Sequence, residues 1–411
     1  MKVDTMRKLD RSLGVPICWL LSILVWVGRL FRPTRRGRVE DVKSLLFVKL
    51  AEMGNTVLCH PALAKARDQW PDVEIIFLVF AENVPSVELL EIVPPENIYT
   101  IRSDNFAVFC YDSISCIWRL RRRRITAAID LEFFSRATSC ITHLTGARST
   151  VGYHRYTMEG LYKGAMFSHP VQYNCHMHTA ASFVTLVEAL DCDWNDGPLV
   201  KLPITADADL RFPWFAATPE QRQQMLDLIA GINPAYNSET RLVILNVNAS
   251  DLLPLRRWPL ANFIGLAKRL IERPDVLIVL IGIASEAEES RKVLSAIGAE
   301  RCIDLVGRTT LKELIVLFEL SDLLVSNDSG PPHFANLTAL PTINLFGPES
   351  PVLYRPLGAR KVAITAGLAC SPCVSAYNHR KSPCTNNVCM QAISIEQVLS
   401  HCDELLAPET G

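Results

Sequence analysis

Residues 45–80 read LLFVKLAEMGNTVLCHPALAKARDQWPDVEIIFLVF, and this stretch decides the fold. It opens with the apolar run 45–50, turns around Gly54, takes up a helical period over 56–69 and returns to an apolar run at 73–80. Short apolar runs between turn residues suit strands buried on both faces, and a strand, helix, strand order calls for a parallel crossover. A third run, ITAAIDL at 125–131, follows further helical sequence. Strand and helix alternating in this way predict an α/β chain built on a doubly wound parallel sheet.

The pattern then starts again. Strands are expected at 241–247 (RLVILNV), 276–281 (VLIVLI), 302–305, 322–325 and 342–346, with helices at 260–272, 285–297 and 311–319 between them. Between 202 and 239 the order weakens at Pro203, Pro213, Pro219 and Pro234, leaving one expected helix over 219–232. The expected organisation is a hydrophobic and basic segment (1–40), a first Rossmann-like domain (41–205), a connection with its helix (206–239) and a second Rossmann-like domain with a cysteine-bearing tail (240–411). Two such sheets facing a cleft would present ligand sites at the carboxyl ends of their strands.

Composition agrees with a folded chain of this size. Of 411 residues, 49% are hydrophobic and 21% charged, which argues for large cores and against extended disorder. The formal net charge of −1 gives no overall attraction to nucleic acid, so anion binding must be local. The 13 cysteines are odd in number and mostly within apolar segments, the usage of a reducing compartment rather than a disulfide framework.

Residues 15–27 (VPICWLLSILVWV) form an apolar run with Arg7, Lys8 and Arg11 before it and Arg29, Arg32, Arg35, Arg36 and Arg38 after it. The run is short for a spanning helix, and no small-residue cleavage site follows it. Basic flanks on both sides suit an interfacial anchor on anionic lipid, while a hydrophobic helix packed on the protein's own body is the alternative.

The stretch 325–348, VSNDSGPPHFANLTALPTINLFGP, carries the densest chemistry. A strand ends at Asn327, the turn Asp328-Ser329-Gly330 follows, and a helix is expected to begin near Pro331 or Pro332. Backbone N–H groups there, a small Ser329, Gly330 and His333 suit a phosphate or pyrophosphate, although Asp328 or Ser329 could equally be a plain helix cap.

Asn327-Asp328-Ser329-Gly330 with His333, followed by Pro341 and Leu345-Phe346-Gly347-Pro348, resembles the donor-site signature of the heptosyltransferases, glycosyltransferase family 9. The resemblance extends to Arg256-Arg257-Trp258-Pro259 with Phe263, to Leu305-Val306-Gly307-Arg308-Thr309, and in the first half to Ile129-Asp130-Leu131, Thr145-Gly146-Ala147 and Val151-Gly152-Tyr153. It implies a GT-B fold, with the nucleotide-sugar donor on the second domain and a lipopolysaccharide-type glycolipid acceptor on the first. It also implies inverting transfer, no obligatory metal or other cofactor, and work at the cytoplasmic side of the inner membrane surface. Carried over by position, Asp328, Ser329, Gly330 and His333 would cradle the donor phosphates, Arg256 or Arg257 would neutralise the diphosphate leaving group, and Glu286 would meet the nucleotide ribose.

An inverting transfer needs a general base, and here the chain departs from the family, which usually has Gly-Asp where this chain has Gly54-Asn55. An amide cannot take up the proton as a carboxylate does. Three explanations compete: Glu52, three residues earlier on the same turn, replaces the aspartate; Asp130 or Glu132 at another strand end does so; or the chain binds a nucleotide sugar or glycan without turning it over.

Three further features are weaker. Cys370, Cys373, Cys384 and Cys389 include a C-x-x-C pair, but the second pair is too widely spaced for the usual zinc pattern, and idle thiols are the default. Arg121 to Arg124 form a basic run, either a solvated helix end or a contact for anionic lipid or a phosphorylated acceptor. His143, His154, His176 and His178 receive no role, although the family often has a histidine at the position of His178.

Overall fold

The computed structural model describes residues 3–31, 37–133, 135–153, 162–192, 199–378 and 380–407; His154, Arg32, Arg35 and Arg36 lie outside them. The chain forms two compact units, 1–211 and 212–411.

The sheet of the first unit contains β1 (Ser44–Val48), β2 (Glu74–Phe80), β3 (Ile98–Ile101), β4 (Ala127–Asp130), β5 (Ser149–Tyr153) and β6 (His169–Val171). Its order is β3-β2-β1-β4-β5-β6, parallel throughout. The sheet of the second unit contains β7 (Arg241–Asn246), β8 (Val276–Leu280), β9 (Cys302–Asp304), β10 (Leu323–Asn327), β11 (Thr342–Phe346) and β12 (Lys361–Thr365). Its order, β12-β11-β10-β7-β8-β9, repeats the first topology, again wholly parallel. The doubly wound α/β expectation is therefore met twice.

Every residue of β1, β4, β7 and β10 except Arg241 is buried, which is why these strands read as runs rather than as alternations. The sequence reading passes over β3, β6 and β12, which are short edge strands with polar or proline residues, and β5, whose Ser-Thr-Val-Gly-Tyr lacks an apolar run. The expected helix over 56–69 is split into Met53–Val57 and His60–Gln69, because Pro61 can occupy a helix start but cannot donate within a continuous helix. The helix Pro219–Ile232 belongs to the second unit. Its entry is fixed by Ala217 N donating to Glu319 Oε2 at 2.8 Å and by an Arg222–Glu319 ion pair.

Residues 14–31 form one helix, Gly14–Phe31. One side docks on the first unit: Cys18 is fully buried with its sulfur 3.6 Å from that of Cys140, and Ser22 Oγ accepts from Ala165 N at 2.9 Å. Gly164, at φ +82°, allows the approach, since a Cβ there would lie 2.9 Å from Ser22 Oγ. Asp10 secures the preceding helix by accepting from the backbone N–H groups of Arg136 and Ala137 and pairing with the Arg136 guanidinium at 3.1 Å. The other side carries Trp19, Leu20, Leu24, Trp26 and Leu30 into solvent. The packed side agrees with a hydrophobic helix seated on the protein's own body, and the exposed apolar side is the part left for an anchor.

Candidate functional site

In a sheet ordered this way, the crossovers leave in opposite directions from the two central strands, opening a crevice at their carboxyl ends. In the first unit those strands are β1 and β4.

Lys49, directly after β1, is fully buried. Its Nζ donates to Ala51 O at 2.5 Å and to Glu132 Oε1 at 3.0 Å, with Glu52 Oε2 3.9 Å away. Burial alone would lower this lysine's pKa, but the Glu132 and Glu52 carboxylates raise it above its ordinary value, so the ammonium persists. Glu132 Oε1 also accepts from Ala51 N at 2.9 Å, leaving this carboxylate committed to the loop.

Glu52 adopts φ +67°, ψ +78°, a left-handed conformation that is costly for a residue with a Cβ. Its carboxylate receives the Asn55 amide N–H, and the side chain remains 34% exposed. Asp130 is the opposite case, with no exposure at all. Its carboxylate accepts from Lys163 Nζ at 3.2 Å, Ser139 Oγ at 3.1 Å and Glu132 N at 3.1 Å. Burial pushes the Asp130 carboxyl up, and Lys163 opposes that shift. The first unit thus brings Glu52 and Asn55 together at an open end of β1 and encloses Asp130 in an ion pair.

In the second unit the central strands are β7 and β10. Asn246, at the end of β7, donates through Nδ2 to Ser326 Oγ at 2.9 Å and Ser329 Oγ at 2.7 Å. Asn327 ties the next loop in place, accepting from Trp258 N at 2.8 Å and donating to Val247 O at 3.1 Å. Asp328 N donates to Leu345 O at 3.0 Å, and Arg256 lies 3.5 Å from the Asp328 carboxylate. The helix after this turn is a single turn, Pro331–Phe334, continued as a 3-10 turn. With prolines at its first two positions it offers fewer N–H groups and a smaller dipole than the sequence reading expects. His333 is buried there, its ring 6.4 Å from that of Tyr354.

Arg256 and Arg257 separate. Arg256 faces Asp328, whereas Arg257 folds onto its own loop, donating to Ala249 O at 2.9 and 2.7 Å and to Asp251 Oδ1 at 2.5 Å. Glu286 turns back to accept from Ile283 N at 3.0 Å; burial raises its carboxyl, against this bond and Arg257. Gly307 makes the neighbouring turn possible: at φ +70°, its Cβ would lie 2.8 Å from the Ala284 backbone. A cavity of about 620 Å³ opens beside the end of β7, lined by Asn248, Arg257, Trp258, Glu289 and Asn387 among others.

Of the remaining candidates, His178 caps helix Thr179–Glu188 through Nδ1, which accepts from Ala180 N at 3.2 Å. Among the described residues no three His, Cys, Asp or Glu side chains gather as a metal site, Cys370, Cys373, Cys384 and Cys389 included. The sequence reading missed Lys49, Lys163 and Asn246, and it named Asn327 within the signature without its role in tying the 247–258 loop. Lys49 could have been found, since a lysine inside the apolar run LLFVKL demands an anionic partner.

The family model for glycosyltransferase family 9 (heptosyltransferase) matches residues 115–382, more than half of the chain. Lipopolysaccharide heptosyltransferase 2 of Salmonella typhimurium is 34% identical over 119 residues, 28% of this chain and 34% of that protein. Lipooligosaccharide heptosyltransferase 2 of Haemophilus influenzae is 29% identical over 171 residues, 40% of this chain and 47% of that one. The chain therefore spans between a third and a half of the length of these curated relatives. The solved E. coli ADP-heptose lps heptosyltransferase II superposes with a TM-score of 0.69 at 19% identity, over 88% of this chain and 98% of that one, a likeness of fold. On the family match, with the two repeated sheets and the Asn327–Gly330 turn where its signature falls, the chain belongs to glycosyltransferase family 9, the heptosyltransferase family.

Proposed function

We propose that this chain is an inverting, metal-independent glycosyltransferase that moves heptose or a related sugar from a nucleoside-diphosphate donor to a lipopolysaccharide-type glycolipid. ADP-heptose is the donor of choice, since the solved E. coli relative is named for it. The work is placed at the cytoplasmic side of the inner membrane, held there by the apolar face of helix Gly14–Phe31.

The observation that carries this reading is the Glu52 carboxylate, open to solvent at the end of β1 while Asp130 is sealed. In the proposed step Glu52 takes the proton of the acceptor hydroxyl, whose oxygen attacks the anomeric carbon from the side opposite the diphosphate. The bond to the diphosphate oxygen breaks, and the charge that grows there is met by Arg256, with Asp328, Ser329, Gly330 and His333 forming the surrounding turn. Asn55 holds the carboxylate through its amide, so that aspartate in the family becomes glutamate plus asparagine here. Arg257, which lines the cavity beside β7 while folded onto its own loop, is placed second to Arg256 for the leaving group, and Glu286 keeps its proposed place at the nucleotide ribose.

The test is release of nucleoside diphosphate from a panel of nucleotide sugars including ADP-heptose, with lipid-glycan extract as acceptor. Glu52→Gln should lower turnover by about 10²–10⁴ while donor binding persists. Donor binding without release by the wild type would mean that the fold is kept for binding alone.

A further inference from the structure

We propose that helix Phe106–Arg123 is a second membrane-docking element, lying in the headgroup layer of an anionic bilayer. The inference rests on the membrane association proposed above and names a surface for it beyond the N-terminal helix. One face of Phe106–Arg123 packs inward through Ser113, Cys116 and Leu120. The other presents Tyr111, Ile114 and Trp118, which are 71%, 68% and 56% exposed, and Phe106 at the helix start is 43% exposed. The i, i+3, i+7 spacing of Tyr111, Ile114 and Trp118 places these three along one stripe of the helix, while Phe106 stands apart at its first position. Single exposed apolar residues are ordinary, but a continuous stripe of three large ones, two of them Tyr and Trp, marks a contact surface.

Charge selects the partner. The stripe carries no acidic residue, and Asp112, farther round the helix, is paired with Arg102 at 2.9 Å. The guanidinium of Arg122 sits 4.0 Å above the Trp118 ring, and that of Arg119 lies 4.6 Å above the Tyr99 ring. Arg121 and Arg124 are exposed at the same end. An indole with a guanidinium on its face suits the boundary between acyl chains and phosphates, where the ring is half-buried and the cation meets anionic lipid. A bilayer also tolerates a convex, one-helix surface, whereas a protein partner of useful affinity needs a broader, complementary area.

The helix also shares a neighbour with the proposed anchor. Helices Gly14–Phe31 and Phe106–Arg123 both pack on helix Arg136–Leu144. Burial lowers the pKa of His143 on that helix, and the charges of Arg121 and Arg29, one from each flanking helix, add to the shift.

The experiment is flotation of the full-length chain with vesicles of phosphatidylethanolamine and phosphatidylglycerol, and with phosphatidylcholine alone. Ile114→Glu and Trp118→Ser should each reduce partitioning into the anionic vesicles by roughly tenfold, the effect of withdrawing one large apolar side chain from lipid. Their thermal melts should match the wild type. Arg122→Glu should remove the preference for anionic over zwitterionic vesicles. If Ile114→Glu and Trp118→Ser float like the wild type, this surface is not a lipid contact, although anchoring by helix Gly14–Phe31 survives. A wild type that floats with neither vesicle removes the membrane association itself, and this surface with it.

Discussion

Replacing Asp130 by asparagine separates a structural carboxylate from a catalytic one. Asp130 and Lys163 are both fully buried, 3.2 Å apart, and the aspartate accepts from Ser139 and the Glu132 backbone as well. Asparagine keeps the shape and one acceptor oxygen but removes the anion, leaving the Lys163 ammonium with neutral partners: that oxygen, the carbonyls of Glu132 and Phe133 at 3.1 and 3.2 Å, and the Phe167 ring at 5.4 Å. Removing one member of a buried pair costs about 3–5 kcal/mol. For a unit of 211 residues, with a shift of about 2–4 °C per kcal/mol, the melting temperature should fall by about 6–20 °C. Calorimetry and urea denaturation would measure that loss, and the double variant Asp130→Asn/Lys163→Met should recover part of it. Nucleoside diphosphate release, assayed well below the variant's melting temperature and expressed per folded molecule, should stay within a few-fold of wild type. A variant that melts with the wild type but turns over about a hundredfold more slowly would refute this reasoning and make Asp130 the base.

Glu52→Gly should lose turnover as Glu52→Gln does but melt no lower than wild type, because glycine accepts φ +67° without strain; a clear drop in melting temperature would mean that Glu52 serves the fold. Arg256→Ala should weaken donor affinity by roughly tenfold or more in a titration, whereas Arg257→Ala, which frees the 249–257 loop, should chiefly lower stability by about 1–2 kcal/mol. Burial pushes the Lys361 ammonium down to about 7, with its Nζ donating to the carbonyls of Ala335 and Leu340. Between pH 7 and the ordinary lysine value near 10.5 the unfolded chain then holds a proton that the folded one lacks, so Lys361 makes stability rise with pH across that window and adds no slope below it. Lys361→Met should remove this component, seen as a wild-type-minus-variant difference in urea midpoint that rises from pH 7 to 10; a difference that stays flat would refute it.

The amino-acid sequence by itself determined the architecture. Parallel strands covered on both faces must be apolar throughout, so β1, β2, β4, β7, β8, β10 and β11 announce themselves as runs, and the crossovers between them carry helical periods. The residues expected at the strand ends do lie there, because in an open parallel sheet the loop following a strand is local in sequence: Glu52 and Asn55 follow β1, Asp130 ends β4 and Asp328 follows β10. Tertiary structure alone decided what those residues can do. Asp130 and Glu52 are both carboxylates at first-unit strand ends, and only the placement of Lys163, 33 residues from Asp130, encloses one and leaves the other open. Arg256 and Arg257 are adjacent and alike, and only the path of the 249–257 loop turns one to Asp328 and the other back on Ala249. Burial and pairing depend on contacts between distant segments, which no local pattern encodes, so sequence supplied the candidates and packing assigned their surroundings.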